Sequence, residues 1–297
     1  MNGVLVINKP EDFTSFDVVA VVRKYTGQKK IGHTGTLDPN ATGVLPLLLG
    51  NATKAQDIIV NHDKEYVADF KLGLTTDTLD IWGEVKTQQE SHIKREEIEK
   101  VLPSFTGEIS QIPPMFSAVQ INGQRLYDLA RKGVEVERKS RKVTVYNLEL
   151  LEFNQDTQQG KLKVACSKGT YIRTIIDDIG AVLGVGAVMT KLNRTMACGY
   201  SLDEAVTLEE MKDLCEKDKI KDKLIATESL FANYGYVAVS DLQAKRFYNG
   251  GALDVNRTYL EKINPPEKSI FRVKDKNHNF LGLGIVEGEL LKIFKHF

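Results

Sequence analysis

The chain has 297 residues, 42% of them hydrophobic and 27% charged, with a mean hydropathy of −0.25, a balance that excludes a disordered, collagen-like or membrane-embedded protein. Forty basic residues cancel forty acidic ones, which excludes a uniformly basic surface but not a local basic patch. The length suits one large domain with a smaller one, or two. No apolar run approaches the roughly 18 residues of a membrane span. The start, Met1 to Pro10, carries no basic segment, long apolar segment or small-residue cleavage site. Three scattered cysteines (Cys166, Cys198, Cys215) form no framework, so a reducing, cytoplasmic setting is expected, with packing roles for the thiols.

The first predicted element is a strand over Gly3 to Ile7, stopped by Lys9-Pro10. Thr14 or Ser15 caps a helix that places Phe16, Val18, Val19 and Val22 on one face and ends near Gly27. From Gly32 to Gly43, three glycines and a proline among polar residues predict a structured loop. A buried strand follows from Val44 to Leu49 despite Pro46, then a short helix over Ala55 to Val60 and a strand over Tyr66 to Leu72. The stretch 75–108 has eight acidic and four basic residues and should face water. Residues 131–142 reverse that balance, with six basic and two acidic side chains. Strands are expected over Val143 to Phe153, Lys161 to Ser167 and Val188 to Leu192, with a helix over Tyr171 to Leu183. A second acidic stretch, helical, spans Asp203 to Lys223, and the domain break is placed near Ala232 to Gly235. Beyond it, short strand-like runs punctuated by glycines suggest a small β-rich barrel. Strands and helices mix without strict alternation, which makes the class α+β.

Asp38 stands out within the glycine-rich loop. Pro39 restricts its backbone to extended conformations, and Leu-Asp-Pro-Asn is also good turn chemistry, so a plain turn and a functional carboxylate are both open. A P-loop and a Gly-x-Gly-x-x-Gly dinucleotide mark are absent, and Thr34-Gly35-Thr36-Leu37 lacks the aspartate that phosphoryl-aspartate pumps place before it. The five histidines are too scattered for a metal site. The segment Ser167 to Thr174 joins a strand to a helix N-terminus, where anions are favoured. Taken alone, Tyr171 reads equally as core and Arg173 as solvated. Were Arg173 to meet Asp38, its guanidinium would hold the carboxylate ionised and fix its orientation.

Four blocks, in order and in register, carry a resemblance. Asn8-Lys9-Pro10, the run Gly32 to Pro39 with Ala41-Thr42-Gly43, Lys64-Glu65-Tyr66, and Ser167 to Arg173 resemble the TruB-type tRNA pseudouridine synthases of bacteria. The likeness extends from residue 8 to about residue 200, and the C-terminal segment is more loosely similar to that family's small RNA-binding PUA-type domain. The resemblance implies a mixed, largely antiparallel central sheet flanked by helices. It implies a catalytic domain over 1–234 with an RNA-gripping insertion at about 110–143, and a barrel-like domain over 235–297.

The implied activity is isomerisation of uridine 55 in the tRNA T-loop to pseudouridine, with base flipping, glycosidic cleavage and reattachment through C5. By the same resemblance Asp38 is the essential carboxylate, its route (attack on C1′, addition to the base, or removal of a C2′ proton) left open. His33 fills space in the RNA loop, Tyr66 stacks on the uracil, and Arg173 pairs with Asp38. Tyr171 lines the pocket as a proton-transfer candidate, and Leu192 helps keep it dry. Arg131, Lys132, Arg138, Lys139, Arg141 and Lys142 form the expected RNA grip, with a solvated basic face as the alternative. Both acidic stretches should then point away from RNA, and Lys9 reads as structural. Lys245 and Arg246 are weaker candidates for the acceptor end of tRNA. A monomer is expected, with no metal, no nucleotide cofactor and no membrane partner. Two other functions fit the same residues: an RNA-folding chaperone that needs no catalysis, and an N-glycosidase or nucleoside hydrolase using Asp38.

Overall fold

The computed structural model describes all 297 residues. The chain opens with β1 (Gly3–Lys9), α1 (Ser15–Thr26), β2 (Ile31–His33) and β3 (Thr42–Leu49). Helix α1 starts because Thr14 accepts from the Asp17 N–H while the Asp17 carboxylate accepts from Thr14, and it stops where Gly27 turns left-handed at φ 66°. With Ser15 as its first residue, the buried stripe is Ser15, Val18, Val19 and Val22. Phe16, one helical step of about 100° beyond Ser15, leaves that stripe and is 68% exposed, which corrects its expected place on the same face as the valines. The helix expected over Ala55 to Val60 is also corrected: Gly50, at φ 60°, breaks out of β3 into a short 3-10 turn, Gly50–Ala55, and no regular helix follows.

Next come β4 (Lys64–Leu72), β5 (Leu74–Thr76), β6 (Val85–Gln88), α2 (Arg95–Val101) and β7 (Gly107–Gln111). Two tiny strands, β8 (Gln120–Ile121) and β9 (Gln124–Arg125), precede α3 (Leu126–Ala130). The long hairpin β10 (Arg141–Asn154) and β11 (Gln159–Cys166) leads to α4 (Ile172–Val182), β12 (Ala187–Ala197), β13 (Tyr200–Ser201) and α5 (Leu208–Glu216). The expected helical stretch 203–223 is therefore one nine-residue helix flanked by 3-10 turns, Leu202–Glu204 and Ile220–Lys223. The remainder is β14 (Tyr236–Ala238), α6 (Asp241–Tyr248), β15 (Leu253–Asp254), α7 (Leu260–Ile263), β16 (Ile270–Lys274), β17 (Phe280–Glu287) and β18 (Leu290–Lys295).

The main sheet runs β1-β3-β12-β4-β11-β10-β7, with β2 on β3 and β13 on β12; its one parallel pairing is β3 with β12. This is the α+β, largely antiparallel architecture that the resemblance implied. The apolar runs of β1 and β3 are buried on both faces. On one side Leu5, Ile7, Leu45 and Leu47 pack against α1 and α5. On the other, Val4, Val6, Val44 and Leu48 meet Phe231 and Leu283. Along the strands from β4 to β10, α4 lays Ile172, Ile175, Ile176 and Ile179 onto Ala68, Phe70, Leu162 and Val164. The second sheet, β14-β16-β17-β18-β15, forms the C-terminal half-barrel. No helix is long and apolar enough to cross a membrane.

Candidate active site

The glycine-rich loop between β2 and β3 has little regular structure, yet it is tied down almost residue by residue. Arg194 of β12, fully buried, donates to the carbonyls of Gly35 (3.1 Å), Thr36 (3.4 Å) and Val44 (2.7 Å). Gly43 permits this approach, because its φ is 103° and a Cβ there would overlap the Arg194 backbone. Buried Ser15 accepts from the Leu37 N–H at 2.9 Å, and the buried Leu37 side chain anchors the loop beneath Asp38. Lys9, buried at the end of β1, donates to the carbonyls of Pro10, Phe13 and Pro39. Burial lowers its pKa to about 8, against the raising effect of Asp38 nearby. Lys9 is thus structural, as read from the sequence, and its task is to hold the residue that follows Asp38.

Arg173 enters from the first turn of α4. The Gln111 side chain at the end of β7 fixes that turn, accepting from the Tyr171 N–H (2.7 Å) and donating to the Tyr171 carbonyl (3.0 Å). The Arg173 guanidinium, 7% exposed, reaches Asp38 Oδ2 at 3.1 Å and Asp80 Oδ2 at 3.6 Å. It also donates to the Thr78 and Phe116 carbonyls, each at 2.9 Å. Three loops therefore converge on one cation. The Asp38 side chain is 48% exposed, and its second oxygen accepts no hydrogen bond from the protein. Asp80 is held differently. Burial pushes its pKa upward, opposed by the Thr78 hydroxyl and by Arg173.

Two cavities meet at Asp38, sharing Thr36, Leu37, Ser117, Ala118, Arg173 and Leu192 in their linings. The smaller, 360 Å³, is walled by Tyr66 and Tyr171 and edged by His62, Lys64 and Lys168. Burial pushes the Tyr66 hydroxyl up to about 12, so the ring stays neutral. The larger cavity, 680 Å³, is lined by Phe16, His33, Trp82, Arg125, Tyr127 and Arg131 among others. His33 meets Phe16 edge-on with ring centroids 5.5 Å apart, and its buried Nδ1 has no partner. Burial first, and Arg194 second, lower the His33 pKa.

The structure thus brings Asp38, Tyr66, Tyr171, Arg173 and Leu192 around one point, with His33 in the adjoining space. The six expected basic residues do not stay together. Arg131 lines the larger cavity, and Lys132 is exposed beside it. Arg138 is bound to the Pro113 carbonyl and to Glu135, Lys142 pairs with Glu108 at 2.8 Å, and Lys139 and Arg141 are exposed. The acidic stretch 75–108 does not face water throughout, as its composition predicts. Thr78, Asp80 and Trp82 line the larger cavity, because the turn that carries them docks on β12 through Ile81 N–H to Met189 O (2.9 Å) and Met189 N–H to Leu79 O (3.2 Å). Asp80, Arg194 and Trp82 went unread in the sequence. The short Thr78-x-Asp80 spacing is the only local sign of that turn, and nothing near Arg194 announces a loop 158 residues away.

Known proteins resemble the chain along nearly its whole length. Residues 23–172 match the model described as TruB family pseudouridylate synthase (N terminal domain), and residues 173–232 match the tRNA pseudouridylate synthase B C-terminal domain. The chain is 45% identical over 296 residues to a tRNA pseudouridine synthase B of Clostridium tetani, covering 99% of each. It is 44% identical to one of Alkaliphilus oremlandii, covering 97% of this chain and 94% of that one. Among solved structures, a chain from a crystallised Cbf5-Nop10-Gar1 complex superposes with a TM-score of 0.75 at 26% identity, covering 99% of this chain and 84% of that one. The chain that sets this carboxylate against a buried arginine, where two cavities join, belongs to the TruB family of pseudouridylate synthases.

Proposed function

We propose that this protein isomerises uridine 55 in the T-loop of tRNA to pseudouridine, acting on the T-arm as a monomer in the cytoplasm. One observation carries the reading. Asp38 has one oxygen on Arg173 and the other free, at the junction of a tyrosine-walled pocket and a wider cleft. The target nucleotide turns out of its stack, with His33 occupying space in the RNA loop it leaves. Its uracil enters the smaller pocket and stacks on Tyr66, whose neutral ring supplies a face and no charge.

The N1–C1′ bond then breaks, the uracil turns, and C1′ bonds to C5. The C5 proton leaves and N1 gains one. Atoms and electrons balance within one nucleotide, so the reaction calls for no redox or nucleotide cofactor. Attack on C1′, addition to the base and removal of a C2′ proton all need a carboxylate with a free, oriented oxygen, and Asp38 offers one. Arg173 fixes where that carboxylate points, and is itself steadied by Asp80 from the other side. Leu37 and Leu192 keep water from the detached uracil, which is what separates an isomerase from a hydrolase. Tyr171 faces the same pocket and is assigned the proton transfer at C5. Arg131 and Lys132 serve the RNA grip at the cleft mouth.

We also place the domain boundary at 234/235. The rings of Phe231, Phe280 and Phe297 pack across it, with centroids 5.1–6.4 Å apart. Removing residues 235–297 is therefore expected to lower stability while leaving a cooperative fold active on an isolated T-arm. Loss of cooperative unfolding would move the boundary.

The test of the activity uses T-arm RNA tritiated at uracil C5. Tritium release to water by the intact chain, lost in Asp38→Ala, is the expected result. Free uracil would favour the N-glycosidase reading, and neither product with RNA still bound would leave a chaperone.

A further inference from the structure

If the target uracil takes the smaller pocket, the larger cavity, 680 against 360 Å³, needs another occupant. Its lining has an unusual inhabitant. Trp82 is the only tryptophan in the chain and stays 47% exposed. Its indole has no aromatic or cationic neighbour, whereas the nearby Tyr127 ring lies against the guanidinium groups of Arg125 (5.8 Å) and Arg131 (5.5 Å).

The backbone that carries the ring is held in place. The Trp82 N–H donates to Asp80 Oδ1 at 3.3 Å, an oxygen that also accepts from the Thr78 hydroxyl at 2.6 Å. Ile81 is hydrogen-bonded to β12, and the Glu84 N–H donates to Asp77. A large π-face carried on an anchored turn and open to solvent, with two guanidinium groups in the same cavity, has the composition of a single-strand nucleic-acid subsite. Bases stack on the aromatic face while phosphates meet the cations.

We propose that Trp82 is the stacking platform for a second unpaired base of the RNA loop, adjacent to the flipped target, with Arg125 and Arg131 receiving its phosphate. The inference rests on the RNA-modifying reading above and extends it from one base pocket to two. Because Asp80 holds both the Trp82 turn and Arg173, a base seated on the indole is docked on the turn that steadies the Asp38 partner.

A lone tryptophan makes the test direct, since red-edge excitation, which spares the ten tyrosines, reads this ring alone. Titration with a T-arm stem-loop is expected to quench it saturably. Replacing the nucleotides beside the target with abasic residues, one at a time, is expected to abolish the quench at a single position. Trp82→Ala should raise KM by roughly 5- to 100-fold, with kcat within about twofold, and Trp82→Phe should recover most of the loss. A merely structural ring would shift the melting temperature and spare this KM-against-kcat split. Bound RNA with unquenched fluorescence, a quench indifferent to every abasic position, or a folded Trp82→Ala with unchanged KM each overturns the proposal, as does failure of the stem-loop to bind. Pseudouridine is measured in the same samples. Quenching without pseudouridine would sink the activity and keep the platform; pseudouridine without quenching would do the reverse.

Discussion

The loop carrying Asp38 and the segment from Ala118 to Lys142 face the same cleft with opposite mechanics. The first is irregular yet pinned by Arg194, Ser15, Lys9 and the packing of Leu37. In the second, Leu126 is the one buried side chain, and the secondary structure before β10 is a minimal hairpin and a five-residue helix. Irregular backbone is therefore no guide to stiffness here; the number of buried donors holding each carbonyl is. Bond making and breaking demands fixed atoms, while gripping an RNA surface tolerates adjustment. On that contrast we propose chemistry for the first region and affinity for the second.

Substitutions can break that assignment. The largest effect belongs to Asp38→Ala: pseudouridine formation should fall by roughly 10³-fold or more, with T-arm affinity preserved in a filter-binding assay. A matching loss of affinity would make Asp38 a loop strut. Next comes Arg194→Met, which strands the Gly35, Thr36 and Val44 carbonyls. It should lower stability by about 2–4 kcal/mol in urea titrations and depress kcat more than it raises KM. A purely affinity-based defect would show the loop to be less rigidly coupled to the chemistry than its anchors imply. The mildest change is Arg131→Glu with Lys132→Glu. It should raise KM several-fold and reduce the slope of log affinity on log salt by roughly one for each phosphate left without a cation, leaving kcat alone. Lys142→Glu serves as the internal contrast, because Glu108 already neutralises that lysine, and it should alter the salt slope less.

Much of the site was readable because local patterns carried it. Thr14 and Gly27 bracket α1, the apolar run 44–49 is a strand, and the motif blocks around Asp38 and Arg173 meet at 3.1 Å. What stayed hidden depended on partners distant in sequence. Arg194 sits in an ordinary strand, and its role exists only because β12 runs parallel to β3 beside the loop. Asp80 lay within an acidic stretch whose average composition said water, while one turn of it is drawn under Arg173. Phe16 was misplaced by one step of helical phase, since the burial stripe begins at Ser15. Charge counting over 131–142 likewise missed that acids from β7 and from the segment itself neutralise part of the cluster.

Lys9 has a kinetic consequence. Its ammonium is a buried strut beneath Pro39, with its pKa lowered to about 8 from an ordinary 10.5. Between those values the folded chain has released a proton that the unfolded chain retains, so by linkage this group adds to stability as alkalinity increases. Over the same interval the strut loses its charge, and its hold on the Pro39 carbonyl weakens. Turnover and thermal resistance should therefore diverge above about pH 8, and the alkaline limb of a rate profile would record the slackening of a brace that never touches the nucleotide.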